Sequence, residues 1–498
     1  MMVLLDRVQM ADNDISLVVD DLIAKLPKLK APTRPWGSQV CIYKVHQKLQ
    51  EVSSPSVYKP AVVSIGPIHY GDENLKETQD CKLYYMSEAL TQRGKNDINS
   101  TTALLQKCVE SIEKLEKRIR DCYADPIHLE SKEFVEMLVI DGLFIVGLFQ
   151  HFGVEQPPPD EDPLAHNPWG RQNLTWDLLL LENQIPLFVL ESLYKLTTSE
   201  EQQNSKTIGY LAYGFFKNYI HFPRDKTVLE NMQEADKHED TPYKHLLDQL
   251  AQTFHPLTDN KDGEAPPPLP PLRRALGATF KLIVKIILPK PKTLHTTRLY
   301  MASATQLDLA GIKIVKGPTE ASFLDISFND GVLTIPPVSI SARVDPLLRN
   351  LIANEQFSDR YTEYVTSYSL FMDRLIVTEK DVEFLSNQGI VTNNLGRFEE
   401  VADMFSRLHR EVVLGRPFYY LGTFDRVNNY YNSRWNFWKA HIKRKYFSSP
   451  WVTIAVIAGG ILLLLTTLKS IIETLQFYLP KDKLSAEFNP NFLKLGYY

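Results

Sequence analysis

The chain has 498 residues, 44% hydrophobic and 23% charged, with a net charge of −5 and a sequence pI near 6.2. That composition is globular and the length permits two or three domains, and the charge balance lacks the overall basic footprint of a nucleic-acid binder. Four cysteines (Cys41, Cys81, Cys108, Cys122) without a CxxC pair point away from a disulfide scaffold or a zinc centre and predict reduced, cytosolic thiols.

In chain order, MMVLLDRVQMADND carries too short an apolar run for a secretory signal. Ile15, Val18, Val19, Leu22, Ile23 and Leu26 recur at helical spacing, so residues 1–35 read as a variable segment with a short amphipathic helix, closed by Pro27, Pro32 and Pro35. Ala61–Gly71 (AVVSIGPIHYG) reads as a short extended run entering a Gly66-Pro67 turn that packs Ile65 and Ile68 into the core. Helical spacing then covers roughly residues 74–92, 103–122, 129–151, 174–195 and 206–222. Phe134–Phe152 is nearly continuous in apolar residues, but Glu136 and Asp141 interrupt it. An acid at mid-membrane costs about 2.5–3.5 kcal/mol, so this run is expected to be the central core helix.

Residues 259–297 begin with the proline-rich DNKDGEAPPPLPP and read as a linker or insertion; within them Ala275–Leu288 is at most a surface-lying helix. Gly331–Ile340 is strand-like and broken by Pro336-Pro337. Leu347–Phe357, Tyr361–Thr378 and Phe398–Val413 return to helical spacing. The expected fold is mainly α: a helical globular body over residues 36–449 with a minor β element, one C-terminal transmembrane helix over 450–470, and a short tail over 471–498.

The transmembrane expectation rests on Trp451–Leu468, eighteen residues without a charge, ten of them Leu, Ile or Val. At 1.5 Å per residue it spans about 27 Å, close to a hydrocarbon core of roughly 30 Å. Arg434, Lys439, Lys443, Arg444 and Lys445 precede it without an intervening acid. Their excess over the basic residues that follow favours a cytosolic body. Trp435, Phe437, Trp438, Tyr446, Phe447 and Trp451 read as an interfacial collar.

Chemistry-bearing motifs are absent: the sequence contains no GxSxG, HExxH, GxxxxGK[ST] or GxGxxG. No catalytic, cofactor-binding or metal-ligating residue is assigned, and no small-molecule substrate. Ser64 with His69 has the residue types of a nucleophile and base, but spacing supplies neither an oriented base nor oxyanion donors. In WDLLLLENQIPLFVL, Pro186 removes a backbone donor and forces a bend. Glu182, Asn183 and Gln184 stand at that bend, where their side chains are expected to satisfy freed backbone groups. The alternative makes Glu182 a buried general acid or base.

Taken together and in order, these blocks resemble the plant family known as domain of unknown function 247, the UPF0481-like membrane proteins. The resemblance rests on Ser64-Ile65-Gly66-Pro67-x-His69, Lys82, Asp141-Gly142-x-Phe144 and Asp177-x-x-Leu180-Leu181-Glu182-Asn183-Gln184-Ile185-Pro186. Ala304-Thr305, Arg349-Asn350-Leu351, Glu355-Gln356, Asp381-Val382 and Trp435-x-x-Trp438 extend it. It implies a structural role for Ser64, Gly66, Pro67, His69, Asp141, Leu181, Glu182, Asn183, Gln184 and Pro186, a C-terminal membrane helix, and no established enzymatic activity. The expected function is that of a non-enzymatic, membrane-tethered interaction or recognition protein of plants. Its partner is an unknown protein, with a related family member among the candidates. A membrane-bound enzyme with an unrecognised site, favoured if Asp141, Asp177 and Glu182 share a pocket, and an extracellular recognition module are the alternatives.

Overall fold

The apolar run that begins at Phe134 organises the main body. The computed structural model describes residues 40–94, 98–153, 162–164, 166–199, 203, 206–217, 219–220, 244–255, 300–357, 362–414, 418–433 and 450–478. In it, α1 (Gln79–Gly94), α2 (Ile98–Arg120) and α3 (Ser131–Phe152) follow a 3₁₀ turn over Glu73–Thr78. Helix α3 is buried at nearly every position from Phe134 to Phe149, and α1, α2, α5 (Leu187–Thr197) and α6 (Ile208–Phe216) pack around it. A helix apolar all round must be surrounded on all sides, and this one is. Two glycines set its approach distances. A Cβ at Gly147 would overlap the carbonyl oxygen of Tyr85 on α1, and one at Gly142 would overlap Leu193 on α5.

The expected helix over 174–195 is two helices: α4 (Pro168–Asp177) and α5, with Pro186 as the N-cap of the second. Two reasons apply. Proline cannot donate to the preceding turn, and the amides of Asn183 and Gln184 take the carbonyls of Asp177, Leu178 and Leu180 that a continuing helix would have used.

Helix α7 (Leu246–Thr253) is opened by His245, a fully buried residue. Its Nδ1 accepts from the Asp248 N–H at 3.2 Å while Nε2 lies 3.1 Å from the Cys41 carbonyl. The Nδ1 contact requires the neutral ring, with Nε2–H donating to the Cys41 carbonyl, and burial pulls the pKa down to about 4.

The second half of the body combines α8 (Val344–Gln356), α9 (Tyr364–Leu375), α10 (Glu379–Asn387) and α11 (Phe398–Leu408) with two small sheets. The three-stranded sheet has the order β1 (Lys313–Lys316), β3 (Val332–Ile335), β2 (Ser327–Asn329). Strands β2 and β3 form an antiparallel hairpin with Phe328 opposite Leu333. Asp330 and Gly331 at its tip both have positive φ, as a two-residue type I′ turn requires. Pro336-Pro337 then interrupts the run as expected, and beyond it β4 (Val338–Ile340) pairs in parallel with β5 (Val391–Asn393) in the other sheet.

Helix α9 is capped from outside: the buried Glu355 carboxylate on α8 accepts from the N–H groups of Val365 and Thr366 and from the Thr366 hydroxyl. Helix α10 carries its own capping box, Thr378 with Asp381, and Asp381 also receives the N–H and hydroxyl of Thr305.

Contacts divide the chain into two compact units. The first holds the described residues of Met1–Ala265, Thr296–Thr305 and Ile314–Arg426; the second holds those of Gln306–Lys313 and Val427–Tyr498. In the second unit, α13 (Pro450–Tyr478) is a helix of 29 residues whose described side chains are exposed. Helix α12 (Leu421–Tyr431) runs across the division. The expected helices at residues 1–35 and Ala275–Leu288, the whole linker 259–297, and Arg434, Lys439, Lys443, Arg444 and Lys445 lie outside the described residues.

Two measurements check this account. Gly147→Ala should lower the unfolding free energy by about 1–3 kcal/mol in urea titration, because a methyl group has no room against the α1 backbone. His245 is neutral when folded and titrates near 6.5 when unfolded, so its contribution is complete above pH 6.5 and is lost as pH falls through about 4. Wild type should therefore lose about 3 kcal/mol more than His245→Asn between pH 7 and pH 4, since asparagine caps a helix without titrating.

Candidate functional site: a polar clasp and the cleft beside it

Residues 61–66 enter no helix and no sheet, yet Val63, Ser64, Ile65 and Gly66 are buried. A buried strip of backbone must find partners for its amides, and here side chains supply them. Asp177 accepts from Ala61 N–H at 2.9 Å with Oδ1, and from Val62 and Val63 at 2.6 and 2.9 Å with Oδ2. Asn183 Oδ1 accepts from Ile65 at 2.7 Å, and Asp141 Oδ2 from Gly66 at 2.9 Å. The carbonyls are met likewise: Val62 by the Thr78 hydroxyl, Val63 by Asn183 Nδ2 at 2.9 Å, and Ser64 by Lys82 Nζ at 2.5 Å. Lys82 Nζ also lies 2.5 Å from Asp141 Oδ1, a buried ion pair. Burial pushes the Asp141 carboxyl up, against the opposing pull of Lys82 and the Gly66 amide. Burial pushes Asp177 up too, against three backbone N–H groups.

The ENQIP block ties further segments to this clasp. Glu182 Oε1 accepts from Val45 N–H at 2.8 Å and Gln50 Nε2 at 3.3 Å. Its Oε2 lies 3.1 Å from His69 Nε2, an ion-pair distance without hydrogen-bond alignment. The Gln184 carbonyl accepts from the Tyr123 hydroxyl at 3.0 Å, and Gln184 Oε1 from Leu247 N–H at 3.3 Å. Leu181 donates its N–H to Asn350 Oδ1 at 2.9 Å, and Asn350 Nδ2 reaches the Val57 carbonyl at 3.0 Å. Gly66 has a φ of +73°, and a Cβ there would meet the Gln184 carbonyl. Only glycine fits both constraints.

Of the residues singled out from sequence, Ser64, Gly66, His69, Asp141, Leu181, Glu182, Asn183, Gln184 and Pro186 thus lie in one cluster. Ser64 and His69 are not brought together: the Ser64 hydroxyl has no hydrogen-bond partner, and the His69 ring faces Glu182. Asn183 and Gln184 do satisfy local carbonyls, but sequence reasoning missed their larger work, which is holding residues 61–66 and α7. It also missed Lys82, Asp177, Thr78 and Asn350 as clasp members. The available signal was that Asp177 stands singly in an apolar run, as Asp141 does inside α3; Thr78, Lys82 and Asn350 have polar neighbours and carried no such signal. Trp451 belongs to the first turn of α13.

Beside the clasp lies a half-open cleft of about 410 Å³. Tyr123 forms part of its lining, with Ile42, Pro67, Ile68, Ile127 and Leu129; Lys44, Asp125 and His128 bring exposed polar groups to it. Pro67 is therefore a cleft residue, and Ile68 is half-buried there, unlike Ile65, which is in the core. One wall is fixed by Arg120, which donates to the carbonyls of Ile127 and Leu129 at 3.1 and 2.9 Å and stacks over Phe134. The volume falls within the range of small-ligand and peptide-side-chain pockets.

A helical body built on a buried side-chain clasp, in a chain that also carries an exposed apolar helix, defines the class of protein. The chain belongs to the family DUF247, described as a plant protein of unknown function, whose sequence pattern matches residues 42–465. It is 30% identical over 443 residues to the UPF0481 protein At3g47200 of Arabidopsis thaliana, covering 88% of this chain and 87% of that one. A second Arabidopsis relative of UPF0481 designation, At3g02645, is 22% identical over 494 residues, covering 86% and 89%. No solved structure matches the chain at a significant level.

The clasp generates a double-mutant test. Lys82→Met should destabilise by about 3–5 kcal/mol, because it strands a buried carboxylate. Lys82→Met with Asp141→Leu should cost clearly less than the two single changes summed. Ser64→Ala should leave the urea midpoint almost unmoved, since its hydroxyl makes no bond to lose.

Proposed function

We propose that this chain is a plant membrane-anchored recognition protein, its body held on the cytosolic face by α13 and its partner a protein, with a related family member among the candidates. The observation that carries the reading is a contrast between two helices. Helix α3 has a mean hydropathy of 1.6 over a window that is 78% buried in the protein. The Ile457–Thr474 window of α13 has nearly the same value, 1.5, and is 0% buried. Two surfaces of equal apolarity require equal shielding from water; α3 finds it in protein, and a bilayer would supply it for α13. At 1.5 Å per residue α13 is about 43 Å long, enough to cross a hydrocarbon core of roughly 30 Å with a turn or two to spare.

Recognition rather than catalysis is supported by the commitments of the buried acids. Asp141, Asp177 and Glu182 gather around residues 45–69, the arrangement that would have favoured an enzyme. Each, however, is engaged by backbone N–H groups, and none lines the cleft. Groups that hold the fold together are poorly placed to exchange protons with a substrate. The cleft, with its aromatic and aliphatic lining and a polar edge, is the surface we assign to the partner.

Anchoring and sidedness are tested together. Full-length protein should resist carbonate extraction, while a chain ending at Lys445 should be released; retention of the shortened, unaggregated chain in the pellet would overturn the anchor. For sidedness, two sequons are present, Asn99-Ser100-Thr101 and Asn173-Leu174-Thr175. Asn173 is buried, with Nδ2 on the Trp169 carbonyl and Oδ1 receiving Arg343, so Asn99, which is exposed, is the informative reporter. It should stay unglycosylated; an endoglycosidase-sensitive mass shift abolished by Asn99→Gln would place the body outside the cytosol.

A further inference from the structure

A pair of thiols is built into the edge of the clasp. Ile42 and Tyr123 form an isolated parallel β-bridge, with Ile42 N–H donating to the Cys122 carbonyl and Ala124 N–H to the Ile42 carbonyl, both at 3.0 Å. This register puts Cys41 beside Cys122, and the Cys41 N–H reaches the same Cys122 carbonyl at 2.8 Å. Adjacent β-paired chains lie about 4.8 Å apart, inside the roughly 4.4–6.8 Å of Cα separation that a disulfide spans. The register sets both side chains on one face of the bridge, and the Cys122 thiol donates to the Arg118 carbonyl at 3.3 Å. Both residues are buried, and their chain neighbours Ile42 and Tyr123 line the cleft, so with the alternation of side chains along paired strands the two thiols lie on the face behind it.

We propose that Cys41 and Cys122 are a reversible dithiol–disulfide site, oxidised by a low-molecular-weight disulfide. The Cys122 thiolate attacks one sulfur of the donor, the donor S–S bond breaks, and one donor thiolate leaves. Cys41, as thiolate, then attacks Cys122 Sγ and expels the second donor thiolate. The pair loses two electrons, the donor gains them, and the two thiol protons pass to the departing thiolates. The order of attack follows from the pair's asymmetry. The neighbouring Cys41 thiol, together with the charge of Arg118, holds the Cys122 thiol below its usual range, against the opposing pull of burial. By contrast, burial alone pushes Cys108 up to about 11, and burial with the charge of Asp162 pushes Cys81 up to about 12. Nucleophilic exchange requires thiolate. Closing the bond would tie residues 40–45, which carry the Val45 contact to Glu182, to the end of α2. The inference does not depend on where the body resides or on its partner.

The test uses full-length protein in detergent micelles, equilibrated without denaturant in buffers of reduced and oxidised glutathione, then acid-quenched, unfolded and alkylated for peptide mapping. Oxidising buffers should yield a peptide joining Cys41 to Cys122, a chain lighter by two hydrogens, alkylated Cys81 and Cys108, and a higher melting temperature that reductant reverses. Cys41→Ser should accumulate glutathione on Cys122, whereas Cys122→Ser should leave Cys41 largely unmodified. The proposal is overturned if the pair stays alkylated up to pure oxidised glutathione. It fails equally if the link forms only after denaturation, or if Cys81 or Cys108 is joined instead. The mapping on wild type needs no variant to fold.

Discussion

Everything in the body hangs on the replacement of a missing sheet by side chains. Residues 61–66 pass through the interior with five N–H groups and three carbonyls that a neighbouring strand would normally meet. Asp177, Asn183, Asp141, Lys82 and Thr78 take that role from three separate stretches of chain. An orphaned buried amide costs about 1–3 kcal/mol, so this arrangement has little tolerance for partial occupancy. It also explains the chemistry of the ENQIP block. A carboxylate accepts only, whereas the carboxamides of Asn183 and Gln184 donate and accept at once, letting each close its own helix end while holding a distant segment.

The elements most legible in the sequence were those whose signal is local. Helix α3 announced itself by a nearly unbroken apolar run, and Asp141 within it correctly ruled against lipid. Pro336-Pro337 marked a break between strands, and α8, α9 and α11 showed helical spacing. The clasp was only half legible. A polar group in an apolar run signals that a buried partner exists but carries no information about which one, because the partners lie far away in sequence: Asp177 bonds residues 114 to 116 positions earlier. The same blindness produced the error at 174–195. Periodicity sees the apolar face of α4 and α5 as one pattern and cannot weigh amides that terminate the first helix. Short α7, with Asp248 and Gln249 buried among its leucines, offered too few turns for a periodic signal. The cleft was invisible from sequence, since its lining comes from three separate loops.

Helices α3 and α13 also show how little composition alone decides. They have almost equal hydropathy, yet α3 carries two glycines at which neighbouring elements approach closely, whereas nothing lies near Gly459 or Gly460 of α13. Glycine in α3 is shaped by protein contact. In α13 it lies on a helix that its own unit leaves uncovered.

The separation of the clasp's parts along the chain has a consequence for how the protein is made. During synthesis the segment 61–66 emerges long before Asp177 and Asn183, and until they follow, the amides of Ala61, Val62, Val63 and Ile65 can be satisfied only by water. The first third of the molecule must therefore wait, hydrated and unpacked, for residues more than a hundred positions downstream. Contacts of such long range slow folding and leave apolar surface exposed on the nascent chain. A product terminated before residue 177 would hold all of α1 to α3 and yet lack Asp177 and Asn183, which hold most of the strip that precedes them. Such fragments should be dependents of chaperones rather than small stable domains, and the shortest piece able to stand alone is set by ENQIP, not by the end of any helix.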